Sequence, residues 1–175
     1  VLPNRRQSNN CCAGGLTLFK QTHIVFSMKT VIQRVSKASV SIDNKTIAEI
    51  TEGYLLLLGV GKSDTEKEAD LLIEKIINLR IMSDKENKMN KSILNTKGEI
   101  LVVSQFTLHA DCKKGRRPSF IQAANPEEGE ALYNYFVDTL KEKSIAVQTG
   151  KFGAMMNVSL TNDGPVTIIL DTNTL

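Results

Sequence analysis

Two hydroxyl side chains, Ser104 and Thr107, and four cations, Lys113, Lys114, Arg116 and Arg117, fall in one stretch, VVSQFTLHADCKKGRRPSF, at residues 102–120. A serine or threonine becomes a nucleophile only beside a base. His109 is the one histidine near it in sequence, and His23 is the only other. A Ser-His-acid arrangement is therefore poorly supported. The alternative is that these hydroxyls, with the backbone N–H groups beside them, end a strand or bind a ligand. The cations make either a solvated loop or a local phosphate contact, since two arginines in a glycine-containing loop are weak evidence for an anion site. His109, Asp111 and Cys112 are metal-ligand types, but no second ligand cluster accompanies them, so no metal is expected. A second candidate is Asn162-Asp-Gly-Pro165, which reads first as a turn between strands. Gly164 lacks a Cβ, so the backbone there can approach a ligand closely.

The elements that must position these residues belong to an ordinary globular chain of 175 residues, 41% hydrophobic and 23% charged, consistent with one domain. Its net charge of +3 is unevenly placed: residues 1–27 hold Arg5, Arg6 and Lys20 and no acid, which leaves 19 basic against 19 acidic residues in 28–175. A neutral body argues against coating long nucleic acid through a basic face. A small local contact with RNA stays open. No apolar run approaches the roughly 18 residues that span a bilayer, so no membrane association is expected. Cys11, Cys12 and Cys112 form no disulfide framework and suit a reducing, cytoplasmic setting. Residues 1–27 have no sustained period. They read as a poorly ordered leader, an organelle presequence or an upstream remnant, with 28–175 as the folded unit.

From 29 to 50 the chain alternates as strands do, with Val31, Val35, Val40, Ile42 and Ile47 as inward positions and Asp43–Asn44 as a turn. Residues 54–60 form a continuous apolar run, expected of a strand covered on both faces. Ser63-Asp-Thr-Glu66 reads as a capping box before a helix over 65–80, with Ala69, Leu72, Ile73, Ile76 and Arg80 along its stripe. Residues 83–91 read as a loop, Lys97–Gly98 as a turn and 99–104 as a strand. Asn125 and Pro126 start a second helix, with Leu132, Tyr135, Phe136, Thr139 and Leu140 on its buried face. Short strands follow at 146–149 and 156–160, and 166–170 reads as a last buried strand. The fold class is α+β, a mixed or antiparallel barrel-like sheet with two main helices.

Ser104-Gln-Phe-Thr-Leu108 with Ala110-Asp111, Gly115-Arg-Arg-Pro-Ser-Phe120 and Asn162-Asp-Gly-Pro-Val-Thr167 resemble the signature blocks of the D-aminoacyl-tRNA deacylase family. Val31-Ile-Gln-Arg-Val35, Leu57-Leu-Gly-Val60, Lys88-Met-Asn90 and Gln148-Thr-Gly150 extend the resemblance over essentially all of 28–175 and leave 1–27 outside it.

The resemblance implies an ester hydrolase that releases a D-amino acid, or glycine mischarged on the wrong tRNA, from the 3′-terminal adenosine of tRNA, with no cofactor and no metal. It implies a homodimer in which Gly164 and Pro165 reach into the partner's pocket, their carbonyls holding the substrate amino group and excluding an L side chain. Ser104, Gln105, Phe106 and Thr107 would line the pocket, and backbone N–H groups near Phe106 and Thr107 would stabilise the oxyanion. Arg34 would hold the Gly–Pro backbone, and Ala124, Phe152 and Met156 match positions near the terminal adenosine. The ribose 2′-hydroxyl would assist the attacking water, which fits the scarcity of bases. Two other readings remain: a related deacylase with relaxed chirality, from which Phe106 and Val166-Thr167 point away, and a non-catalytic tRNA-binding or RNA-binding module using the basic loop.

Overall fold

A computed structural model describes residues 27–175. Strand β1 (Lys29–Ile42) turns through Asp43 and Asn44, both in the left-handed region, into β2 (Lys45–Ile50). A two-residue connection with positive φ at both positions matches the twist of a hairpin. Strand β3 (Gly53–Gly59) continues along the same edge of β1, and β8 (Asn157–Asp171) pairs antiparallel along the opposite edge. Beyond β3 the sheet becomes parallel, with β6 (Glu99–Ser104) on β3 and β7 (Ala146–Thr149) on β6. Each parallel pair needs a crossover. Helix α1 (Glu66–Asn78) provides the first and α3 (Pro126–Glu142) the second, with a two-stranded ribbon, β4 (Met82–Ser83) and β5 (Met89–Lys91), and the single turn α2 (Ile93–Thr96) between them.

This mixed sheet curls into a nearly closed barrel-like form, bringing β2 against β6 and β7. One apolar cluster lies between the sheet and the two long helices and includes Ile32, Leu56, Leu58, Leu72, Ile76, Val102, Phe136 and Leu140. A second fills the concave side, with Val35, Ala38, Val40, Ile50, Leu55, Leu101 and Val103. Strand β3 contributes to both, which is why its apolar run has no polar alternation. Among the described residues no helix is long and apolar enough to cross a membrane.

Several sequence expectations need correction. Along β1 the buried positions run Thr30, Ile32, Arg34, Val35, Ala38 and Val40; Val31 and Ile42 are half-buried and Ile47 is 43% exposed. Register shifts near Arg34 and Val35 slip the period-two phase, so a single alternation cannot describe the strand. The helix cap is Thr65, not Ser63, and the reciprocal carboxylate is Glu68; Arg80 lies past the helix and donates to the Asn90 carbonyl. Part of 83–91 is paired as β4 and β5 instead of being wholly loop. On α3, Tyr133 and Val137 are buried, whereas Tyr135 and Thr139 are only half-buried. The strands expected at 156–160 and 166–170 are one strand, β8, and the second half is not fully buried: Ile169 is 71% exposed. The leader expectation falls, apart from Ser27, outside the described residues.

The corrected cap makes a measurable distinction. Thr65→Ala is expected to lower the unfolding free energy by about 1 kcal/mol in urea titration. Ser63→Ala, which removes no bond at the helix start, should change it by less than about 0.5 kcal/mol.

Candidate functional site

Strand β6 ends at Ser104, and the chain bends at Gln105 into a 3-10 turn, Phe106–His109. Gln105 N–H donates to the Leu58 carbonyl at 2.7 Å, which clips this bend to the end of β3. The segment before α3 is clipped to the same end, with Ala124 N–H donating to the Val60 carbonyl and Lys62 N–H to the Gln122 carbonyl. Between the bend, the α3 start and the segment leading into β8 lies a cavity of about 590 Å3, lined in part by Ser104, Gln105, Phe106, Ala124, Phe152 and Met156. That volume lies within the ordinary range for small-ligand sites.

Its walls are braced from behind. Tyr133 donates its hydroxyl to the Val102 carbonyl at 2.9 Å and packs its ring 5.8 Å from that of Phe152. Gly150 makes room for Met156, since a Cβ there would lie 2.7 Å from the Met156 Sδ. Phe106 and Phe120 meet edge to face at 5.1 Å on the rim. No lining residue carries a group that titrates near neutrality: the wall is apolar apart from Ser104, Gln105, Asn125 and backbone.

Thr107 is exposed beside the cavity and its hydroxyl accepts a bond from Gln105 Nε2. His109 is buried against Gly59, not beside Ser104 or Thr107, and burial holds its pKa below the usual histidine range. Its Nε2 has no hydrogen-bond partner. Asp111 instead accepts the Lys113 N–H at 2.9 Å. Among the described residues no group of three or more His, Cys, Asp or Glu is placed to hold a metal ion.

Arg34, Gly164 and Pro165 form a separate constellation. Opposite Arg34, β8 pairs through Asn162 and then Thr167, leaving the intervening residues as a bulge. The Gly164–Pro165 peptide bond within it is cis. Arg34 Nε donates to the Asp163 carbonyl at 3.1 Å and lies 2.9 Å from its carboxylate, while Nη1 donates to the Ile81 carbonyl at 2.7 Å and to Ser83. Gly164 has φ 137°, and a Cβ there would lie 2.7 Å from Val166 Cγ2 and 2.9 Å from its backbone N, so this position demands glycine.

The sequence reading took Asn162 only as the first residue of a turn and gave its side chain no role. Its Oδ1 accepts the Val166 N–H at 2.7 Å and its Nδ2 donates to the Val166 carbonyl at 3.1 Å, so the side chain acts as a strand partner across the neck of the bulge. The available signal was an asparagine four residues before a strand resumes, a type that imitates backbone hydrogen bonding. Val103, Phe120, Gly129 and Val158 also line the cavity and were missed as site residues, because apolar and small residues there look like core.

Comparison with known proteins gives a consistent set of likenesses. A family model described as D-Tyr-tRNA(Tyr) deacylase matches residues 31–171. A D-aminoacyl-tRNA deacylase of Geotalea uraniireducens is 60% identical over 145 residues, 83% of this chain and 94% of its own. One of Thermosipho melanesiensis is 55% identical over 145 residues, 82% of this chain and 97% of its own. Among solved structures, a c-Myc DNA Unwinding Element Binding Protein superposes with a TM-score of 0.77 at 43% identity, over 81% of this chain and 97% of that one. A probable eukaryotic D-amino acid tRNA deacylase, 18% identical, shares the fold with a TM-score of 0.72 over 83% of this chain and 99% of that one.

The Asn162 staple can be weighed directly. Asn162→Ala removes two hydrogen bonds to the Val166 backbone and a third to the Thr167 hydroxyl, worth about 0.5–1.5 kcal/mol each, so the unfolding free energy should fall by roughly 1.5–4.5 kcal/mol. Asn162→Asp, which keeps the acceptor and loses the donor, should fall between the variant and the parent in the same urea titration.

Proposed function

The chain belongs to the D-aminoacyl-tRNA deacylase family, and on that footing we propose that its cavity receives the 3′-terminal adenosine of tRNA and hydrolyses the ester to a D-amino acid or glycine. The observation that carries the mechanism is the cavity wall itself, which offers strand-end backbone at Ser104–Phe106 and no titratable side chain. The ester is already activated, so the protein needs to place a water, the ester and the oxyanion donors in register. The leading N–H groups of a 3-10 turn have no acceptor within the turn. Those of Phe106 and Thr107 serve the developing oxyanion, a contribution worth about 2.7–4 kcal/mol per donor. The terminal ribose 2′-hydroxyl assists the water in place of a side-chain base. Phe152 and Met156 supply the apolar faces for the adenine, beside Ala124. Neither a metal nor a cofactor enters the scheme.

Chirality is read by exclusion. The Gly164–Pro165 carbonyls hold the substrate amino group, and an L side chain meets the backbone, whereas a D side chain or a hydrogen does not. Discrimination then arises from a clash built against the wrong partner, and the D side chain itself need not be recognised. Within one chain the two halves of such a site lie apart. The bulge is opposite Arg34, whose row across the sheet runs through Tyr54 to Ile100, whereas Ser104 pairs with Leu58. Four residues along the strands and three strand spacings separate them, roughly 13 Å by 14 Å.

A second copy of the chain resolves that separation. The sheet face away from the helices carries the cross-strand row Leu57, Val31 and Ile169, the last 71% exposed. A two-fold pairing over this face would carry each Gly164–Pro165 to the other copy's cavity. A tRNA substrate supports a cytoplasmic location for the enzyme.

Incubation with D-Tyr-tRNA and L-Tyr-tRNA should release tyrosine from the first and spare the second; equal release, or binding without turnover, would overturn the proposal. Thr107→Ala should retain measurable activity, whereas a terminal 2′-deoxyadenosine in the tRNA should abolish it. A dead Thr107→Ala enzyme that still folds and binds tRNA would return the threonine to the role of nucleophile. Ile169→Glu changes an exposed side chain and should leave the monomer folded. It is expected to shift light scattering from dimer toward monomer and to remove activity with it; an active monomer would exclude the shared site.

A further inference from the structure

The four cations of the sequence's basic stretch take no part in the site described so far. They occupy loop 112–118, closed at its base by a bridge in which Asp111 N–H donates to the Ser119 carbonyl at 2.8 Å and Ser119 N–H to the Asp111 carbonyl at 2.9 Å. Gly115 at its tip has φ 72° and nothing within 4 Å of where a Cβ would stand, so the tip stands in open solvent. Lys113, Lys114, Arg116 and Arg117 are all exposed, and among the described residues none of them has an ion pair. The carboxylate nearest in sequence, Asp111, is turned to the Lys113 backbone N–H.

Placement and charge give the loop a direction. Phe120 follows the bridge immediately and packs on Phe106, which precedes it, so both arms spring from the cavity rim. Three residues on each side of the tip give a reach of about 10 Å from the bridge. Residues 28–175 are neutral overall, and setting the loop's four cations aside leaves 15 basic against 19 acidic residues in the rest of that unit. A polyanion approaching the cavity is therefore repelled by the body and attracted at this edge of its mouth.

We propose that loop 112–118 is a phosphate clamp for the RNA strand whose 3′ end enters the cavity, with Lys113, Lys114, Arg116 and Arg117 on the backbone phosphates just upstream of the terminal nucleotide. The proposal rests on the function proposed above. The clamp reads no bases: cations on an exposed loop supply affinity and on-rate, while the cavity supplies the chemistry. It extends the recognised substrate beyond the terminal nucleoside. Removing one cation from its phosphate should reduce the salt dependence of binding by about 0.7–0.9 in the slope of log K against log salt.

The test replaces all four cations by glutamine and uses two substrates, full-length D-Tyr-tRNA and D-tyrosyl-adenosine. The variant should lose about 10- to 100-fold in kcat/KM on the tRNA and nothing on the adenosine ester, with thermal unfolding unchanged. Binding of uncharged tRNA, measured apart from turnover, should weaken comparably, and its salt slope should become shallower by roughly 3. Arg116→Lys with Arg117→Lys, which keeps the charge, should keep the slope. Equal loss on both substrates would assign the loop to the cavity wall, and an unaltered salt slope would remove the clamp; either result overturns the proposal. If the parent protein turned over neither substrate, the proposed function would fail, while the tRNA-binding slope would still decide the clamp.

Discussion

The buried guanidinium of Arg34 ties together three segments distant in sequence: the middle of β1, the start of the β4 ribbon and the bulge of β8. A buried charge is costly unless it is paired and its hydrogen-bonding capacity is used. Here the Asp163 carboxylate faces Nε, and the carbonyls of Asp163 and Ile81 and the Ser83 hydroxyl take the fork's hydrogens. The same side chain holds the bulge where β8 leaves simple register with β1, through the Asp163 carbonyl and carboxylate. Asn162 closes the neck of the bulge by replacing ladder bonds with its own amide.

At the other end of the sheet the constraint is the parallel pairing of β6 with β3 and β7. Parallel strands align their carboxyl ends, and in such sheets ligands gather where those ends open. The bend at Gln105 and the α3 start at Asn125 meet there, each clipped to the end of β3, and the cavity is what remains between them. An apolar wall of this kind lowers the local effective dielectric, so a fixed N–H dipole along it counts for more than it would in water. His109 is not part of that wall; it is buried and faces Gly59.

Most of the secondary structure was legible because its causes are local. The strand at Glu99–Ser104, the Asn125–Pro126 helix start, the doubly covered β3 and the turn at Asp43–Asn44 follow from periodicity, capping chemistry and tolerance of positive φ. Misreadings fall where two local signals compete or where a distant residue intervenes. Ser63 and Thr65 both fit the cap of α1, and the reach of Glu68 decides for Thr65. Asn162-Asp-Gly-Pro165 has the composition of a turn, yet β1 runs unbroken beside it and makes it a bulge inside one strand. The phase of β1 slips at a bulge of its own between Val35 and Lys37, which face Asn162 and Thr161, so its inward residues could not be taken from a single alternation.

The sequence by itself determined the α+β class, the two helices, the neutral body with one basic loop, and a set of blocks that identify the family. These depend on residue type and short spacing, which a linear chain carries in full. Only the tertiary structure decided that Ser104–Phe106, Ala124, Phe152 and Met156 surround one cavity while Arg34 and Gly164–Pro165 stand several strands away. Proximity between distant segments is set by strand register and by the pairing partners each edge finds. A shift of one residue or one strand reassigns the neighbours of every side chain.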